Sequence, residues 1–202
     1  MPAKKRLFEN VYQFKITLRE IRPPIWRRIQ VPETCSFWDL HVAIQDAMGW
    51  TDAHLHEFRM RDPRSGGNVD IGYPNEFSGE TLLGWRTAIA DFFSPENPRA
   101  VYTYDFGDDW EHLVVLEKIL PKEPGIPYPR CIKGKRACPP EDIGGVWGYY
   151  DLLEDLKNPG ARDGDEDEWD AYEFDPEEFD CADVSFDDPK KRLKYAGEIG
   201  LL

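Results

Sequence analysis

Tyr12, Phe14, Ile16 and Leu18 alternate with Gln13, Lys15, Thr17 and Arg19. A period of two places the four apolar side chains on one face of a β-strand and leaves the other face polar. Such a strand needs a hydrogen-bonded neighbour and an apolar cover, and both requirements shape what can follow. Pro23-Pro24 breaks the run, because proline cannot donate to a strand ladder. Ile25–Val31 then resumes it with Ile25, Ile29 and Val31 on one face, which predicts a hairpin. Arg27 falls on that same face, where an unpaired guanidinium is costly to bury. A carboxylate from Asp105 or Asp108 is its expected partner, since arginine and carboxylate pair well through two parallel bonds.

The cover comes next in the chain. Ser36 with Asp39 three residues on has the form of a helix capping box, and Phe37, Leu40, Ile44 and Met48 follow at helical spacing to a stop at Gly49. Leu55–Met60 reads as a third strand. The stretch 62–84, rich in Gly, Pro, Asn and Ser, reads as a long loop with one short strand at Val69–Ile71. Thr87–Phe93 is a candidate short helix. Val101–Phe106 and Trp110–Leu120 form a second hairpin around Gly107-Asp108-Asp109. Irregular chain is expected from Pro121 to Gly145, then a helix over Tyr149–Leu156. The order predicts an α+β domain, a mixed or antiparallel sheet with a helix packed across it, compatible with a β-grasp-like core. Trp26, Trp38, Trp50, Trp85 and Trp110 are expected in the core.

The net charge of −14 belongs to one segment: all fourteen Asp and Glu residues of 163–188 stand there without a Lys or Arg. Residues 1–162 are expected to form a single α+β domain, and 163–202 an acidic, helical C-terminal extension. That extension keeps Trp169, Tyr172, Phe174, Phe179 and Phe186, so it should dock on the body. No apolar run is long enough to span a bilayer. The basic start MPAKKRLFENVYQF has no apolar stretch after it and does not read as a secretion signal. Four cysteines make no disulfide framework in a chain of 202 residues, so reduced thiols and a cytoplasmic location are expected.

Two motif matches carry no chemistry. Asp105-Phe106-Gly107 matches the kinase DFG, but no Gly-rich phosphate loop, strand lysine or HRD loop accompanies it. Asp163, Asp165 and Asp167 open like a calcium-binding EF-hand loop, yet Glu168 stands where the loop needs Gly and Phe174 where it needs Glu. The polar residues with more weight are His54, His56, Asp105, Asp108, Asp109, His112, Glu141 and Asp142, together with Arg27. His54 and His56 are two apart, so on a strand they would share a face. His54, His56, Asp105, His112, Cys131 and Cys138 are ligand types that would suit a divalent metal such as zinc. The Cys131–Cys138 spacing is not that of a zinc finger. The plainer alternative is that the aspartates bond turn amides and the histidines sit satisfied in the core.

The strings RPPIWRR, GWTDAHLHEF, YTYDFGDDWEH and YPRCIKGKRACPPEDIGG, in this order, resemble the plasmid pRiA4b ORF-three-like family. The resemblance runs from about Val11 to Phe179. The family pattern maps onto Pro23–Arg28, His54–His56, Tyr104–His112 and Cys138–Tyr149 without departure. Some members carry the label of a TnpR-type resolvase, which would imply DNA recombination. The residues oppose it: there is no serine among clustered arginines, no helix-turn-helix pattern, and the tail is acidic.

Two classes of function therefore stand. The first is a binding or regulatory module built around the YDFGDDW turn, with a protein or small-molecule partner. The second is a metal-dependent, hydrolase-like enzyme using His54, His56, Asp105, Asp108 and His112, with Cys131 and Cys138 as a structural site. The lack of a recognised nucleophile–base pair favours the first. No tight DNA binding is expected at moderate salt; a gel shift across a salt series checks this, and a salt-resistant complex would restore the resolvase reading.

Overall fold

The computed structural model describes residues 7–74, 81–158 and 174–198. Strands β1 (Asn10–Leu18) and β2 (Trp26–Pro32) form the expected hairpin, paired antiparallel from Val11↔Pro32 to Thr17↔Trp26. Helix α1 (Phe37–Met48) follows. Ser36 Oγ accepts from Asp39 N at 3.1 Å and Asp39 Oδ2 accepts from Ser36 N at 2.8 Å, so the capping box is complete. Gly49 ends the helix at φ +93°, a left-handed conformation that costs glycine little.

Strands β3 (His56–Arg61), β4 (Asn68–Gly72), β5 (Leu82–Leu83), β6 (Arg99–Tyr104), β7 (Trp110–Pro121) and β8 (Arg130–Lys135) complete one sheet in the order β5-β4-β3-β6-β7-β1-β2-β8. Every described pairing is antiparallel except β4 with β5. This is a mixed α+β sheet crossed by α1; its strand order lends no support to a β-grasp core, because β1 has antiparallel neighbours on both sides. Phe14, Ile16, Ile29 and Phe58 from the sheet meet Phe37, Leu40 and Ile44 from α1 in one core. Phe37 lies edge-on to Phe58 at 5.2 Å, in the arrangement favoured by aromatic quadrupoles. The opposite sheet face is polar, with Arg28 forked onto Glu117 at 2.6 and 2.8 Å. Trp38, Trp50 and Trp110 are buried as expected. Trp26 and Trp85 are only half-buried, and Lys15 lies over the Trp26 ring.

Three local expectations need adjusting. Strand β8 lies in the stretch expected to be irregular; RCIKGK pairs along one side only, at the sheet edge, and has no alternating apolar pattern to announce it. Thr87–Phe93 forms only a short 3-10 turn at Ile89–Asp91. Helix α2 (Gly145–Lys157) begins four residues before Tyr149, because Gly148 fits where any Cβ would strike Ile143 O at 1.7 Å. Helix α3 (Pro189–Glu198) closes the described chain. The EF-like aspartates 163, 165 and 167 lie outside the described residues.

The described part of the acidic segment packs on the body. Ala137 N donates to Pro176 O at 3.1 Å, Arg136 pairs with Glu177 at 2.7 Å, and Phe174, Val184 and Phe186 pack against the core. Phe179 lies against Gly134 of β8, so close that a Cβ there would fall 2.3 Å from its ring. Gly134→Ala is therefore expected to unseat Phe179, costing about 2 kcal/mol as overpacking does, and to speed protease cleavage within residues 174–183. Urea unfolding with limited proteolysis tests this; wild-type cleavage rates would show that the segment is held by other contacts.

Candidate functional site

Arg27 is buried on the core face, as its alternation predicts, but among the described residues no carboxylate receives it. Its Nε donates to Ala47 O at 2.7 Å and its Nη1 to Trp26 O and Lys135 O at 3.0 and 3.1 Å, while Phe179 covers the guanidinium at 3.6 Å. Ala47 is in the last turn of α1, where carbonyls lack helical partners and the helix dipole is negative, so a cation is welcome. Burial still draws the Arg27 pKa below its ordinary value. The expected pairing with Asp105 or Asp108 is replaced by carbonyls and an aromatic face.

Asp105 and Asp108 belong instead to a junction of three loops: the exit from α1, the β6–β7 turn, and the segment leading into α2. Glu141 stitches them together, accepting from Thr51 N at 2.8 Å and from the hydroxyl groups of Thr51 and Tyr104. Tyr104 Oη accepts from Ala53 N at 3.0 Å, and Trp50 Nε1 donates to Pro139 O at 2.9 Å. Asp108 Oδ2 accepts from Gly144 N at 3.2 Å. Gly145, at φ +68°, packs so tightly on the turn that a Cβ would fall 2.5 Å from Asp108 O. Asp109 shapes the turn itself, at φ +54°, with its N–H on Asp105 O at 2.7 Å.

At the centre of this junction His54 Nε2 lies 2.9 Å from Asp142 Oδ1 and 3.6 Å from Asp105 Oδ2. Asp105 commits Oδ1 to Gly107 N at 2.9 Å, leaving Oδ2 for His54. The His54 nitrogen is shielded from solvent, yet it forms no well-directed hydrogen bond among the described residues: the approach to Asp142 is short but poorly aligned. One ligand atom from each of His54, Asp105 and Asp142 lies within 4.8 Å of the others. Asp142 is exposed, so the cluster opens to water.

The remaining candidates go elsewhere. His54 precedes β3, so the two-residue spacing does not put it on a face with His56. His56 is fully buried and stacks on His41 at 3.4 Å with ring planes 9° apart. Burial, with the neighbouring His41, holds the His56 pKa well below the usual histidine range. His41 Nε2 meets Asp52 Oδ1 at 2.7 Å and its Nδ1 meets Tyr102 Oη at 2.8 Å. With Nε2–H given to the carboxylate, Nδ1 accepts from the Tyr102 hydroxyl, which accepts in turn from Gln45 Nε2 at 2.8 Å. His41 and Asp52 were not singled out by the sequence. The signal for His41 was its place four residues after Phe37 and three before Ile44, on the buried stripe of α1.

His112 is buried too, with Nδ1 3.0 Å from Trp110 O and 3.3 Å from Tyr102 O, so Nδ1 carries the proton. Cys131 and Cys138 have their thiol pKa values pushed by burial to about 11 and about 12, and no converging ligand group among the described residues includes a cysteine.

The fold and junction describe an α+β protein with a histidine–carboxylate cluster at a hairpin turn. This chain belongs to the Plasmid pRiA4b ORF-3-like protein family, whose signature matches residues 10–183. It is 38% identical over 152 residues to the uncharacterized protein y4hQ of Sinorhizobium fredii, covering 74% of this chain and 75% of that one. The crystal structure of MM3350, a protein of unknown function from Methanosarcina mazei Go1, superposes with a TM-score of 0.82 at 48% identity, covering 90% of this chain and all of that one.

Burial draws the His112 pKa down to about 4. The ring is neutral in the folded protein but takes a proton in the unfolded chain near pH 6.5. The stability this contributes is complete above about pH 6.5 and is lost as pH falls toward 4. The loss for His112 is about 3 kcal/mol, with His56 acting in the same direction. Thermal melts of His112→Asn and wild type across that range are expected to show a flatter profile in the variant; parallel profiles would place the acid sensitivity elsewhere.

Proposed function

We propose that this protein is a cytoplasmic binding module that holds a divalent cation at the three-loop junction, with His54, Asp105 and Asp142 as ligands. The observation that carries this reading is the convergence of three donor atoms on one point with the buried His54 nitrogen unsatisfied. A mixed imidazole and carboxylate set suits zinc or manganese, and three protein ligands leave positions open for a partner's oxygen or nitrogen atoms. Phe106 in the turn and Trp147 in the first turn of α2 remain exposed, which supports contact with a protein or small-molecule partner.

The hydrolase alternative draws less support. It calls on His56 and His112, which are buried inside the fold, His56 stacked on His41 and His112 bonded to the Trp110 and Tyr102 carbonyls. The cytoplasmic address is supported by four unpaired cysteines, and no described helix is long and apolar enough to cross a membrane.

Titration of chelator-treated protein with Zn²⁺ and Mn²⁺, followed by calorimetry, tests the reading. One equivalent is expected to bind, with affinity falling at least tenfold in His54→Ala and Asp142→Asn and unchanged in Asp109→Asn. Asparagine tolerates the left-handed backbone of Asp142 at φ +57°, so that variant isolates the ligand. Absence of binding, or equal binding by all variants, would refute the cation site.

A further inference from the structure

His56 lies wholly inside the protein, and its Nδ1 has no hydrogen-bond partner among the described residues. A buried polar atom left in this way costs free energy and calls for an explanation. Its surroundings supply one. His56 opens β3 and stacks on His41 of α1, whose Nε2 meets Asp52 Oδ1 at 2.7 Å. One ligand atom from each of His41, Asp52 and His56 lies within 4.8 Å of the others. This second converging group shares no ligand with the junction, whose members are His54, Asp105 and Asp142.

Two imidazoles and a carboxylate form a ligand set suited to zinc. With zinc bonds of about 2.0–2.1 Å, tetrahedral donors stand about 3.3 Å apart. Donors that already lie within 4.8 Å of one another therefore need to close by about 1.5 Å at most. The parallel rings of His41 and His56 tilt out of their stack as the lone pairs converge. Ligation through Nε2 moves the His41 proton to Nδ1, which then donates to Tyr102 Oη, now 2.8 Å away. A hydroxyl that fixes the tautomer of a ligating histidine is the usual form of outer-shell support. Asp52 and Tyr73 also line a cavity of about 330 Å³ under α3, from which water completes the fourth position. Two cations stand nearby. Arg192 Nη1 is 3.7 Å from Asp52 Oδ2, but that guanidinium is committed to Asp46 and Asp187, and Lys191 is at the cavity wall. Three carboxylates against two cations leave the neighbourhood negative, which favours a divalent ion.

We propose that His41, Asp52 and His56 hold a slowly exchanging zinc ion, a second site beside the open junction. The ion ties α1 to the start of β3 and to the loop between them. His56 packs against Trp38 and Tyr73, and the start of α3 covers Trp38, whose Nε1 donates to Pro189 O at 2.7 Å. The ion therefore enters as the chain folds, and a titration of the folded protein fills the junction alone.

The experiment uses the full chain carrying His54→Ala, which disables the junction. It is refolded from guanidinium with Zn²⁺ and a phosphine reductant, washed briefly with EDTA, and its zinc counted by elemental analysis after gel filtration. About one zinc per chain is expected to remain. His56→Gln and Asp52→Asn, each added to His54→Ala, are expected to retain at least tenfold less. Asparagine tolerates the left-handed backbone of Asp52 at φ +63°, so that variant decides if circular dichroism shows His56→Gln unfolded. Refolding with Co²⁺ is expected to give visible d–d bands without the charge-transfer absorption of thiolate ligands. No retained zinc in folded His54→Ala, equal retention by Asp52→Asn, or thiolate absorption would overturn the proposal. Because His54 is gone, none of these outcomes depends on whether the junction binds a cation.

Discussion

A single buried cation organises this structure. Arg27 leaves the middle of β2 toward the core and donates to the end of α1 through Ala47 O and to the edge strand β8 through Lys135 O, and Phe179 of the acidic segment closes over it. Removing a guanidinium from water is expensive, and the cost is offset here by three carbonyl acceptors, the negative end of a helix and an aromatic face. Four segments distant in sequence thereby share one anchor. Gly49 ends α1 beside this anchor, and the six residues that follow carry Asp52 and His54.

Those residues divide the polar chemistry of the molecule. Asp52, at φ +63°, turns toward the His41 side, and two residues later His54 meets Asp105 and Asp142. Tyr102 and Tyr104 of β6 serve the two clusters separately, the first bonding His41 and Gln45 and the second bonding Ala53 and Glu141. Asp105 N donates to Leu55 O at 2.9 Å, so the hairpin turn and the helix exit are pinned to one another by backbone. In the buried cluster His56 Nδ1 and Gln45 Oε1 lack a hydrogen-bond partner among the described residues and are shielded from solvent, whereas the junction is open to it; that contrast underlies the different roles assigned to two histidines only two residues apart.

Signals that act between near neighbours were readable in the chain. Alternation announced β1 and β2, the Ser36–Asp39 box and Gly49 bounded α1, and the four motif strings placed the chain in its family. The inward direction of Arg27 followed from the same period of two. β8 was invisible because an edge strand with one half-buried face needs no apolar alternation, and the early start of α2 depended on the close approach of Ile143 to Gly148.

The sequence by itself determined most of the strands and helices, which faces of them turn inward, and which residues have the chemistry to bind. Only the tertiary structure decided which of those residues meet. Arg27 found carbonyls rather than Asp105, His56 found His41 rather than His54, and His112 closed on the carbonyls of Trp110 in its own strand and Tyr102 in the next. The reason is physical. Periodicity and capping are settled over a few residues by backbone geometry, while the partner of a buried charge or imidazole depends on how segments as far as 90 or 108 residues apart pack together, which no local pattern encodes.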